Sequence, residues 1–84
     1  MESIEHGVYR HYKGGFYHII DTATHSETLE KVVVYRPLYG EKKLWVRPLT
    51  MFTETVKTNG KNQLRFSKCS DEEAIANGFS DLLA

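Results

Sequence analysis

The sequence predicts a mainly β (α+β) domain: a small curled antiparallel sheet, SH3-like or a partly open barrel, with a C-terminal helix. Three observations carry this expectation. Turn signals recur at short spacing, at Lys13-Gly14-Gly15, Tyr39-Gly40-Glu41-Lys42 and Asn59-Gly60. The stretches between them are rich in the aromatic and β-branched residues that suit a pleated, half-buried surface. The chain then changes character at Ser70-Asp71-Glu72-Glu73, an N-cap residue three before an acidic one, which matches a capping box. The competing architecture is an open α+β sandwich whose helix covers one whole sheet face.

Taken in order, residues 7–12 read as a first strand, Gly-Val-Tyr-Arg-His-Tyr. Lys13-Gly14-Gly15 turns the chain, with a positive φ expected at one of the two glycines. Residues 16–23 form the second strand, and the polar run Thr24-His25-Ser26-Glu27-Thr28 a loop. Residues 30–38 hold the third strand, whose continuous run Val32-Val33-Val34-Tyr35 predicts burial on both faces. Pro37 ends it, and Pro48 stops a short fourth strand over 44–47, because proline donates nothing to a ladder. Pro48 also fits the first position of a helical turn over 48–52. Residues 52–58 and 63–66 then flank Asn59-Gly60, a strong hairpin signal. A C-terminal helix is expected over 71–83, with 71–76 helical, Gly78 weakening or ending it, and Phe79, Leu82 and Leu83 forming a second amphipathic turn. This divides the chain into one β-rich domain, 1–69, and an acidic helical tail, 70–84, packed on it.

Size and charge set bounds. A chain of 84 residues makes a single domain. It buries only about 60–65% of its unfolded surface. Five Tyr, four Phe and one Trp supply the large side chains such a small core needs. Cys69 is the single cysteine, so no internal disulfide supports the fold. The acidic start, Met-Glu-Ser-Ile-Glu-His, lacks the apolar run of a signal peptide, and no apolar run reaches bilayer length. A cytoplasmic location is expected, with no membrane partner. Net charge is zero, but Asp71, Glu72, Glu73 and Asp81 all lie in the tail. The first 69 residues thus carry 11 basic against 7 acidic side chains, a net of +4. That balance is too weak for a strong non-specific DNA binder.

Several motifs together carry a resemblance. The run from Gly7 to Tyr17, His25-Ser26-Glu27-Thr28, Val34-Tyr35-Arg36, Leu44-Trp45-Val46-Arg47-Pro48, Phe52 and Arg65-Phe66 appear in one order over about residues 6–67. This pattern resembles the small bacterial domain of unknown function numbered 1653. The resemblance implies a compact single domain in a bacterial cytoplasm, and no reaction. The tail from Lys68 lies outside it.

Alternation along strands places candidate site residues. If Val32, Val34, Leu44 and Val46 point inward, Tyr35, Trp45 and Arg47 share the second face. An aromatic–arginine pair there suits a planar anionic ligand, which it stacks on and grips. The plainer reading makes Trp45 core and pairs Arg47 with Glu27 or Glu54. His11 and Lys13, at the end of the first strand, are candidate contributors. His25, Ser26 and Glu27 bring the residue types of a base, a nucleophile and an orienting acid. Neighbours on an extended chain point apart, however, so they form no triad by themselves. The plainer reading is a loop bonded to its own backbone.

Other chemistry is thinly supported. The spacings of His6, His11, His18 and His25 match no compact metal-ligand pair, so no metal is expected. Lys13-Gly14-Gly15 leads into a strand and lacks Walker spacing, so it reads as a turn. Cys69 has no activating neighbour in sequence. The leading expectation is a binding module for a nucleic acid, nucleotide or other anionic ligand, with no cofactor. The alternatives are a protein-interaction or accessory module, and a small hydrolase or transferase using His25, Glu27 and His11. The sequence does not specify an oligomeric state.

Overall fold

The first hairpin founds the sheet. Strand β1 (Gly7–His11) pairs antiparallel with β2 (Phe16–Thr24), placing Val8 opposite His18 and Tyr9 opposite Tyr17. The turn between them closes with Gly14 at φ +110°, a conformation that favours glycine. A computed structural model describes residues 4–83. In it β3 (Lys31–Pro37) pairs with β2, and β4 (Trp45–Pro48) pairs with β3. Helix α1 (Leu49–Thr53) follows at once, then the ribbon of β5 (Thr55–Thr58) and β6 (Lys61–Leu64). Asn59 and Gly60 both take positive φ at its tip, as a two-residue hairpin turn requires. Strand β7 (Phe66–Lys68) returns to pair with β1.

The five-stranded order is β4-β3-β2-β1-β7, so the sheet has two free edges and does not close into a barrel. Closure fails because β5 and β6 pair only with each other. Phe52, expected at the start of a strand, sits in α1. The expected strand over 63–66 breaks at Arg65. Its N–H donates to the Glu54 carbonyl, and its own carbonyl accepts from Tyr12 N–H. One segment is thereby divided between ribbon and sheet.

Helix α2 (Asp71–Ala76) begins as the capping box requires, with Ser70 Oγ accepting from Glu73 N–H at 3.1 Å. Residues 71–76 are helical as expected, but the helix does not continue to residue 83. Gly78 at φ +85° ends it, and Ser80–Leu82 form a separate 3₁₀ turn. Among the described residues, no helix is long and apolar enough to cross a membrane.

Two apolar clusters lie on opposite faces. Tyr9, Ile19, Val33 and Tyr35 form the larger with Phe66 and with Leu49 and Phe52 of α1. Val8, Cys69 and Ala74 form the smaller, extended by half-buried Phe16, Leu38, Phe79, Leu82 and Leu83. The C-terminal segment therefore covers only part of its face. The expected orientation of β3 and β4 is reversed: Val33 and Tyr35 point into the main core, while Leu44 and Val46 are exposed. The cause is α1, which leaves β4 at Pro48 and folds over the Val33–Tyr35 side. Val32 is also buried, on the other side of the strand, so the apolar run is indeed covered on both faces there.

Candidate functional site

Trp45 and Arg47 do share a face with Tyr35. Trp45 pairs opposite Tyr35 and Arg47 opposite Val33, so all four side chains project to the same side of the sheet. That is the core-bearing side, but α1 covers only part of it. Phe52 packs edge-on against Tyr35 at 5.2 Å, and beyond Tyr35 the face is open. Tyr35 is 4% exposed whereas Trp45, on the edge strand, is 59% exposed. The reading of Trp45 as core is thereby corrected: the edge strand has no neighbour to cover it.

The open part is a concavity of about 340 Å³ lined by Tyr17, Tyr35, Tyr39, Trp45 and Arg47, with Lys42 and Lys43 on the β3–β4 loop. Arg47 Nε donates to Tyr35 Oη at 2.8 Å, and its Cζ lies 6.0 Å from the Tyr35 ring centre. A second guanidinium N–H meets Met51 Sδ at 3.0 Å. Among the described residues no carboxylate lies within 4.0 Å of Arg47. Glu54 instead pairs with Arg65 at 2.6 Å. Arg47 is thus held in place by neutral partners and keeps its charge uncompensated. The loop is braced from below, where Arg36 donates to the Lys42 carbonyl at 2.7 Å. Lys43 pairs with Glu41 at 3.4 Å, both exposed, an arrangement that contributes little energy.

Tyr17 and Tyr39 close the other wall. Their hydroxyls are 2.8 Å apart and their rings meet edge to face at 5.8 Å. Burial and this hydrogen bond push the Tyr17 phenol up to about 12, so it stays protonated. Tyr17 also touches Tyr35 at 5.8 Å, Phe66 at 5.2 Å and His11 at 6.2 Å. Partial burial, then the nearby charges of Arg65, Lys13 and Arg47, hold the His11 imidazole below its usual range.

The other expected site residues lie elsewhere. His11 is on the same face, one ring beyond Tyr17, and lines a neighbouring concavity with Lys13, Arg10 and Gln63. Lys13 sits in the first turn with its ammonium 5.7 Å from the Tyr12 ring centre. His25, Ser26 and Glu27 cap the far end of the β2–β3 hairpin, beyond the Thr24–Lys31 pair. His25 Nδ1 accepts from the Glu27 and Thr28 N–H groups at 3.1 and 3.2 Å, the self-bonded loop of the plainer reading. His11 and His18 fall on opposite faces of the first hairpin, because they stand at positions of opposite parity in its register. Among the described residues, no three His, Cys, Asp or Glu side chains gather as a metal site. Cys69 is buried, and burial raises its thiol pKa, which disfavours the nucleophilic thiolate.

Tyr17, Tyr39 and Lys42 escaped the sequence reading. The register that brings Tyr17 opposite Pro37, and the loop that folds Tyr39 back on it, are tertiary facts. The one available signal was the odd-numbered parity shared by Tyr9, His11 and Tyr17 across the first hairpin.

The same motif order and fold recur in known proteins. The family model described as "Protein of unknown function (DUF1653)" matches residues 7–68. The chain belongs to this family. A crystal structure of a DUF1653 protein from Bordetella bronchiseptica is 40% identical, with a TM-score of 0.74 over 83% of this chain and 92% of that one. No curated protein matches the chain. The DUF1653 match takes in every residue of the concavity and stops before α2.

Proposed function

We propose that this DUF1653 chain is a binding module, and that the Trp45 concavity takes a planar anionic ligand: a nucleic acid, a nucleotide or a similar charged ring. One observation carries the reading. An indole left mostly exposed on an edge strand stands beside an arginine that, among the described residues, has no carboxylate within 4.0 Å. A stacked ring gains from the indole face, and an anionic group from the guanidinium. Lys42 adds positive charge at the rim, where Lys43 is paired with Glu41. The hydrophobic wall of Tyr17 and Tyr35 and the few polar groups converging on it fit a small-ligand cleft.

Trp45 is the single tryptophan, so it reports its own occupancy. Titration with nucleoside monophosphates, followed by Trp45 fluorescence, is expected to quench and shift the emission. Arg47→Ala is expected to weaken binding about tenfold or more, as loss of one charge-assisted contact implies. Unchanged emission with every nucleotide, or wild-type affinity in Arg47→Ala, rejects the reading.

A second reading rests on a separate observation. Val46 is exposed on the opposite side of β4, Leu44 is exposed just before it, and among the described residues no strand pairs with the outer edge of β4. An edge strand with apolar side chains is a template for pairing with another chain. A protein partner there predicts that Val46→Lys abolishes complex formation and leaves nucleotide binding intact.

A further inference from the structure

We infer that the ligand is a single strand of nucleic acid lying across the sheet, and that His11 and Lys13 belong to its path. The inference rests on the proposed nucleotide-type site at Trp45 and extends it. A nucleotide stacked on Trp45 with its phosphate at Arg47 leaves the rest of the aromatic row unused. Past Tyr35, whose ring is buried and offers no face to a base, the row surfaces again at half-buried Tyr17 and at His11. Trp45 and His11 stand three strands and four residues apart, a diagonal of about 20 Å at ordinary strand and residue spacings.

At the His11 end the surface opens again. A second concavity of about 280 Å³ is lined by His11, Lys13, Gln63 and Leu64 and reaches round the end of the sheet to Arg10 and Ser67. His11 on its wall lies 6.2 Å, ring centre to ring centre, from Tyr17 on the wall of the first. Each end of the row carries cations: Arg47 and Lys42 at one, Lys13 at the other. Arg10, also at the second concavity, is engaged by Glu73 at 3.0 Å and is not counted.

Stacking platforms interleaved with cations, spread over more than one nucleotide, are the chemistry of sequence-tolerant single-strand recognition. A duplex keeps its bases stacked on each other and offers no free ring to Trp45. The weak overall charge fits this division, since stacking supplies much of the affinity and phosphate contacts are few.

The test compares uridine and thymidine chains of one, two, four and six nucleotides, read by Trp45 fluorescence and by anisotropy of end-labelled chains. The tetranucleotide is expected to bind about tenfold tighter or more than the mononucleotide, from the added stacking and phosphate contacts. Lys13→Ala is expected to leave the mononucleotide unaffected, weaken the tetranucleotide about threefold to tenfold, and lower its salt slope by about 0.7. His11→Ala is expected to weaken the longer chains alone. Equal affinity for all lengths, or no effect of Lys13→Ala on any length, overturns the path while leaving the Trp45 site standing. A blunt duplex bound as tightly as the single strand overturns it too. No response to any chain, the mononucleotide included, rejects the site itself. The uridine and thymidine series, compared at equal length, separate RNA from DNA as the source.

Discussion

Phe52 and Trp45 lie seven residues apart on the same side of one sheet, yet one is 2% exposed and the other 59%. Phe52, carried into the core by α1, is stacked on Phe66 at 4.4 Å. Trp45 stands on the free edge, with an arginine and a lysine-bearing loop for neighbours. The contrast teaches that an aromatic face is not one thing. Where a helix returns over it, the rings are core. Where the chain leaves without returning, the same rings form an open surface of hydrophobic and cationic groups.

The largest test of that contrast is Phe52→Ala. Removing a fully buried phenyl ring is expected to cost about 3–5 kcal/mol, measured by urea denaturation. A loss under about 1 kcal/mol would show the covered half to be as loosely packed as the open one. Arg47→Ala comes next. It breaks the hydrogen bond to Tyr35 and leaves no carboxylate uncompensated, so the expected cost is about 1 kcal/mol. A loss of about 3–5 kcal/mol would instead mark a structural ion pair and erase the difference between the two halves. Trp45→Ala should shift stability by less than about 0.5 kcal/mol, because the ring is mostly in water already. A large loss in the thermal midpoint would mean that the open half is core in solution.

The smallest effect is in pH. Burial lowers the pKa of His11 on the aromatic face and of His18 on the other. With the folded pKa below the unfolded one, the unfolded chain binds more protons between the two values. Stability is therefore full above about pH 6.5 and falls as pH drops through the folded pKa. Thermal midpoints at about pH 7.5 and about pH 5.5 should differ in this direction. His11→Gln and His18→Gln should each flatten part of the slope, and so apportion it between the two faces. A slope untouched by both variants would assign it to other groups.

Much of this was legible in the residues. Gly14, Asn59 and Gly60 mark turns because few other residues adopt their backbone angles, and all three turn as expected. Ser70 caps α2 because a hydroxyl three residues before an N–H reaches it within one helical turn. Period-two alternation correctly grouped Tyr35, Trp45 and Arg47 on one face. These are local constraints, decided within a few residues of chain.

Which side of that grouping became core was not local. Alternation states that two sides exist, and only the return of α1 after Pro48 decided that Val33 and Tyr35, not Val34 and Val46, face inward. Closure was equally non-local. A barrel and an open sheet differ in whether β5 and β6 find the main sheet or each other, a choice set by the break at Arg65 and its bonds to Glu54 and Tyr12. The concavity depended on both outcomes. The sequence by itself determined the strands, the turns, the helix cap and the shared face of Tyr35, Trp45 and Arg47. The tertiary structure alone brought Tyr17 and Tyr39 to that face and left Trp45 uncovered, because pairing partners and a returning helix are chosen by packing between segments far apart in the chain.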